Sequence, residues 1–198
     1  YNEQEHIDDY PLTIFFTKEQ YLKKVPASSL RSTTSEHKLK EDDEIVLIEE
    51  TSNVSELVFF SDKANVYKYK TYDMPDSKVA AMGEYLPSLL GLEPGEKIIY
   101  AVVTKDFAGN MLFTFQNGKM AKVELKNYET KTNRKKLIGA YSAKSPIVDI
   151  KLIKEDTDIV IITENNRVLT VNTSLIPLKS TKSTQGVQVL RQPKNGIS

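Results

Sequence analysis

The stretch "LFTFQNGKMAKV", residues 112–123, reads as an apolar run, a polar turn and a second run whose apolar positions are Met120 and Val123. Three other stretches fall into register with it: "IFFTKEQYLKKV" from Ile14, "VFFSDKANVYKY" from Val58 and "VIITENNRVLTV" from Val160. The copies begin 44, 54 and 48 residues apart, and their second runs share apolar columns at Leu22, Val66, Met120 and Val168, then at Val25, Tyr69, Val123 and Val171. Two short runs joined by a turn of about four residues make a β-hairpin, here used four times. Gly118 and Asn166 stand where a tight hairpin turn demands positive φ, which those residue types tolerate best. Gln20 and Ala64 suit that column poorly, so the first two turns are expected to use another geometry.

Behind the hairpins lie the apolar segments "DDEIVLIEE", "EKIIYAVVTKDF", "SPIVDIKLIKED" and "QGVQVLRQ", so each unit supplies three or four strands. Helical periodicity is weak throughout. Tandem units of about 50 residues in which each blade covers its neighbour's face indicate an all-β, propeller-like array. The reading is one domain over residues 1–198, with about four four-stranded blades at roughly 8–52, 53–107, 108–156 and 157–198.

With 39% hydrophobic residues the chain can bury a core, and it contains no cysteine, which closes disulfide, thiolate-metal and cysteine-nucleophile chemistry. No window approaches the roughly 18 to 20 apolar residues of a membrane span, and "YNEQEHIDDY" at the start is acidic, so a cytoplasmic location is expected. The net charge of zero conceals an asymmetry: residues 1–110 hold 12 basic and 20 acidic side chains, whereas residues 111–198 hold 15 basic and 7 acidic. A polyanion should be drawn to the second half. The alternative is a solvated basic tail.

The stretch "VYKYKTYDMPDSKVAAMGEYLPSLLGLEPGEKI", residues 66–98, resembles the second blade of the C-terminal domain of the A subunit of bacterial type IIA topoisomerases, DNA gyrase and topoisomerase IV. The Tyr72–Pro75 corner, Gly83 and the leucine-rich run follow in the family's order. "IFFTKEQYLKKVPASSL" is similar to a first blade, "GKMAKVELKNY" to a middle blade and "TQGVQVL" to a blade-closing strand. The resemblance implies a β-pinwheel whose blades exchange strands and which binds and bends double-stranded DNA. It further implies a fragment without catalytic residues, metal or cofactor of its own. The catalytic tyrosine, ATP and Mg would belong to other parts of a parent enzyme whose A subunit dimerises and pairs with a B subunit. Where gyrases carry a Gln-Arg-Arg-Gly-Gly-type box, residues 31–37 keep only Arg31, which points to a topoisomerase IV-like protein; a gyrase with a degraded box is the alternative.

DNA carries a charge about every 1.7 Å of helix axis, so a bending surface needs many spaced cations and little base reading. The columns flanking the first shared apolar position supply Lys24, Lys68, Lys119, Lys122 and Arg167, expected side by side along a rim. Lysines that deter edge pairing would look the same. Lys131, Arg134, Lys135 and Lys136 form the densest cluster, in "KTNRKKLIG", and Lys179 and Lys182 lie among hydroxyls in "PLKSTKSTQG". His6 and His37 are far apart in the repeat map, and the acidic run at residues 41–44 lacks the alternation and glycine of a calcium loop, so neither suggests an enzyme site. A protein-interaction propeller, motivated by the acidic first half, is the competing function.

Overall fold

The computed structural model describes residues 6–132 and 134–191, and the chain divides into two compact units, residues 1–105 and 106–198. In the first unit, β1 (Pro11–Thr17) and β2 (Tyr21–Pro26) form a hairpin, β3 (Ile45–Ser52) pairs with β1, and a second hairpin joins β4 (Glu56–Ser61) to β5 (Val66–Lys70). The two-residue strand β6 (Glu84–Tyr85) and then β7 (Ile98–Thr104) follow. Two short helices, α1 (Ala27–Ser32) and α2 (Leu86–Leu90), are the α-helices among the described residues.

In the second unit, β8 (Asn110–Phe115) and β9 (Lys119–Glu124) form the third hairpin, followed by the short β10 (Lys136–Leu137) and by β11 (Ile147–Ile153), which pairs with β8. The fourth hairpin joins β12 (Asp158–Ile162) to β13 (Val168–Asn172), and β14 (Leu178–Lys179) and β15 (Val187–Gln188) are the last strands among the described residues.

The register within these hairpins is the register of the sequence repeat. Ile14 lies opposite Lys24, Val58 opposite Lys68, Leu112 opposite Lys122 and Val160 opposite Thr170. A bulge also recurs where the outer strand meets the hairpin: Val46, Ile99 and Val148 are each skipped in the pairing of β3, β7 and β11. All four turns share one geometry, with Gln20, Ala64, Gly118 and Asn166 at φ 78°, 56°, 83° and 59°. This corrects the expectation of a different geometry in the first two. Gln20 tolerates the left-handed conformation because its side-chain amide donates to the Ile98 carbonyl at 2.8 Å and accepts from the Ile98 amide at 2.7 Å, inside the core. The hydroxyls of Thr17, Ser61 and Thr163 accept from the amide four residues later.

Strands are exchanged between consecutive repeats. β6, which follows the second hairpin, pairs with β2 of the first through Leu22–Glu84 and Tyr21–Tyr85. β15, which follows the fourth hairpin, makes the equivalent pairing with β9 through Met120–Val187 and Lys119–Gln188. Each visiting strand is led in by a glycine at positive φ, where a Cβ would come within 2.3 Å of the Leu22 carbonyl oxygen for Gly83 and 2.0 Å of the Met120 carbonyl oxygen for Gly186. Only a residue without a side chain can approach so closely. Within "QGVQVLRQ", Val187–Gln188 therefore closes the third sheet and is no outer strand of the fourth; Gln192 lies outside the described residues. Among the described residues the fourth hairpin has two strands, short of the four expected, and Val160, Ile162 and Val168 on it are exposed.

The core follows from alternation along the strands. In the first unit Leu12, Ile14, Phe16, Leu22, Leu57 and Phe59 pack with Leu86 and Ile98. Burial of each such side chain contributes roughly 1.5 to 3 kcal/mol. Beside this apolar core lies a buried carboxylate, Glu96, which accepts from Ser61, from Asn65 at 2.9 Å, from Tyr67 at 2.7 Å and from the backbone of Glu93 at 3.0 Å. Burial alone would raise its pKa, but these hydrogen bonds outweigh that and hold it at about 2.

Candidate nucleic-acid interface

The lysine column of the repeat separates into buried and exposed members. Lys24, Lys68 and Lys122 are 2%, 7% and 5% exposed, so they do not form a solvent-facing rim. Lys24 Nζ donates to the Met74 carbonyl at 2.9 Å, lies 3.4 Å from Asp76 and sits 5.5 Å over the Tyr10 ring. Lys122 Nζ donates to the Thr173 carbonyl at 2.9 Å and to Asp156 at 3.1 Å. In both units, a lysine of one hairpin reaches the 3-10 corner that follows the next, Thr71–Asp73 or Thr173–Leu175. An ammonium taken out of water needs such partners. The recurrence that suggested a charge track is a recurrent internal clasp.

The carboxylate of the second clasp responds to its lysine. The hydrogen bond from Lys122, joined by one from Thr173, holds Asp156 below the usual aspartate range. Asp76 also accepts from Tyr10 at 2.6 Å, and burial followed by that hydrogen bond pushes the Tyr10 hydroxyl up to about 12. Lys23 is also fully buried, donating to the Val79 carbonyl at 2.9 Å and lying 3.2 Å from His37 Nδ1; burial lowers its pKa. Sequence reasoning passed over Lys23. Its signal was the adjacent pair in "YLKKVP", where both faces of β2 are covered.

The remaining candidates lie in the second unit and reach solvent to different degrees. Lys131, Arg134, Lys135 and Lys136 are exposed, between the corner Leu125–Tyr128 and the end of β10; Asn133 between them lies outside the described residues. Arg167 is exposed after the fourth turn, and Lys179 is exposed on β14, which runs parallel to β9 with Lys179 opposite Val123. Lys119 is half-buried, with Nζ 3.4 Å from Gln185 Oε1, and half-buried Lys182 holds its Nζ 6.0 Å over the Tyr128 ring. Tyr128 is itself buried and donates to the Ala140 carbonyl at 2.6 Å, so it is a packing residue with its pKa raised by burial. Strand exchange thus brings Lys179 of the fourth repeat onto the third sheet, opposite Val123 of β9.

Exposed Lys126, which lies outside the repeat columns, and exposed Lys144, Lys151 and Lys154, which went unremarked in the sequence because they are scattered singly, belong to the same unit. Lys144 lines a shallow surface depression of about 360 Å³ together with Ser142, Ser183 and Gln185. Unit 106–198 contains 15 basic and 8 acidic residues, against 12 and 19 in unit 1–105. Among the described residues no group of three His, Cys, Asp or Glu side chains is placed to hold a metal ion, and no helix is long and apolar enough to cross a membrane.

The fold has counterparts among known proteins. The family model described as DNA gyrase C-terminal domain, beta-propeller, matches residues 55–105 and 157–196, the second and fourth repeats. A solved C-terminal domain of DNA topoisomerase IV shares the fold with a TM-score of 0.83 at 23% identity, over 95% of this chain and 59% of that one. The chain resembles the C-terminal domain of the type IIA topoisomerase A chain. The C-terminal domain of E. coli ParC has a TM-score of 0.70 at 15% identity, covering 94% of this chain and 74% of that one. The DNA gyrase A protein of Thermotoga maritima is 27% identical over 68% of this chain and 18% of its own length, and that of Clostridium acetobutylicum 26% over 84% and 21%. The chain therefore spans about a fifth of the length of these gyrase proteins. Its four repeats supply the β-propeller architecture of that C-terminal domain, an all-β fold with few helices.

Proposed function

We propose that the chain is a non-catalytic DNA-binding and DNA-bending domain that positions duplex DNA for a type IIA topoisomerase. The observation carrying this is the exposed cation set of the second unit, Lys131, Arg134, Lys135 and Lys136 together with Arg167 and Lys179, on a fold shared with topoisomerase C-terminal domains. Bending a duplex by 40 to 90° costs roughly 1 to 6 kcal/mol, which several phosphate contacts offset. Sequence preference is weak, because the contacts are to the backbone. The parent protein is an ATP-dependent topoisomerase whose tyrosine, ATP and Mg sites lie outside this chain, with a dimer of its own kind, a B-subunit partner and a cytoplasmic location.

Within that class we favour a topoisomerase IV-like protein. Residues 31–37 hold no glycine and no arginine pair; Arg31 is exposed on α1 and His37 packs on Phe15 with ring centroids 4.5 Å apart. A supercoiling assay on the parent enzyme, with and without this domain, tests the subclass: negative supercoiling that requires the domain would make it a gyrase. Titration of the chain with linear duplex at low salt tests DNA binding itself, and an absence of binding would refute it.

A further inference from the structure

The first sheet ends in an edge strand that differs from its repeat equivalents. β3 borders that sheet and pairs with β1. Ile48, Ala101 and Ile150 occupy the same repeat position, opposite Phe15, Phe59 and Phe113. Ala101 and Ile150 are 9% and 4% exposed, whereas Ile48 is 62% exposed. Val46, at the bulge of the same strand, is exposed as well. The charge also inverts: Glu49 lies opposite Ile14 where Lys151 lies opposite Leu112 in the third repeat. Glu41, Asp42, Glu44, Glu49 and Glu50 are all exposed around this edge, and the one cation beside them in an ion pair is Lys18, 4.0 Å from Glu44, among the described residues.

We propose that β3 is a docking strand for an extended, basic segment of a protein partner in which lysine or arginine alternates with aliphatic side chains. A sheet edge offers a row of backbone donors and acceptors to a strand laid along it. Ile48 and Val46 provide apolar contact for alternate side chains of that strand, Glu49 on the opposite face selects the cations between them, and Glu50 adds to the negative charge of the edge. The same carboxylates repel phosphates, so duplex DNA is not the occupant. This surface belongs to the first unit, and the proposal does not depend on the second unit's cations binding DNA.

The test uses the whole chain and a ten-residue peptide of alternating lysine and valine, with a peptide of the same composition broken by prolines and a 20-base-pair duplex as comparators. The alternating peptide is expected to bind and to slow amide hydrogen exchange within Ile45–Ser52, and the proline-broken peptide to do neither. Glu49→Lys with Glu50→Lys should weaken peptide binding at least tenfold, and Ile48→Ser should weaken it with the charges intact. All three residues are exposed, so these variants are expected to keep the wild-type melting temperature; loss of the fold would itself overturn the assignment of β3 as a free edge. Unchanged peptide affinity after charge reversal, or protection falling outside Ile45–Ser52, overturns the proposal. Protection of those amides by the duplex overturns it too, and makes the edge a nucleic-acid surface.

Discussion

Units 1–105 and 106–198 use one set of internal devices to build sheets whose surfaces carry opposite charge. In the first, Lys24 reaches the corner after the second hairpin, and Gly83 lets β6 onto β2. In the second, Lys122 reaches the corner after the fourth hairpin, and Gly186 lets β15 onto β9. Yet the exposed position opposite Ile14 is Glu49, and the one opposite Leu112 is Lys151. Repetition therefore governs the inside, where geometry admits few residue types, and leaves the outside free to specialise.

Breaking the shared devices should cost most. Gly83→Ala and Gly186→Ala each force a Cβ onto a backbone carbonyl at positive φ, and should destabilise the chain by roughly 3 kcal/mol or more in urea unfolding. Equal losses in the two units would support their equivalence; tolerance of either would show that its visiting strand is dispensable. Next in size, Lys122→Ala strips partners from the Thr173 carbonyl and Asp156, and should cost about 2 kcal/mol. Lys24→Ala should do the same through Met74 and Asp76.

A device without a counterpart among the described residues of the second unit sharpens the contrast. The folded pKa of Glu96 is depressed to about 2, so its contribution is fully present above the ordinary glutamate value of 4.5 and is lost as the pH falls toward 2. Wild type should lose about 2 kcal/mol over that interval, and Glu96→Gln should flatten the dependence. A smaller effect belongs to His37, whose pKa burial and the neighbouring Lys23 charge lower from 6.5. Its neutral form is favoured in the fold, so stability should fall as the pH drops below 6.5, by less than about 1 kcal/mol for a half-buried ring. His37→Asn should remove that slope in thermal melts between about pH 7 and 5.

Much of the scaffold is legible in the sequence because pairing register and apolar alternation obey the same period. The columns at Leu22, Val66, Met120 and Val168 are also the columns of the strand pairing. Gln20 concealed its turn because its left-handed backbone is held by a side-chain contact with Ile98, 78 residues away, which no local pattern encodes. Strand exchange was readable only through the resemblance, since two-residue strands such as β6 and β15 carry too little pattern. The candidate interface was half legible. A lysine that recurs in a strand column marks a required position, and that requirement is met equally by a phosphate outside or by a carbonyl inside; Lys24 and Lys122 take the carbonyl, and Lys68 is buried as they are. Lys131, Arg134, Lys135 and Lys136, which follow no column, reach solvent, as does Arg167 of the column.

The most direct test sets these two kinds of lysine against each other in one assay, the affinity for linear duplex DNA measured as a function of salt. Lys135→Glu with Lys136→Glu should weaken binding and make the slope of log affinity against log salt shallower by roughly one to two, leaving the melting temperature unchanged. Lys24→Met and Lys122→Met should lower the melting temperature and, in the folded protein, leave that slope unchanged. A slope altered by the buried pair and indifferent to Lys135 and Lys136 would contradict the account.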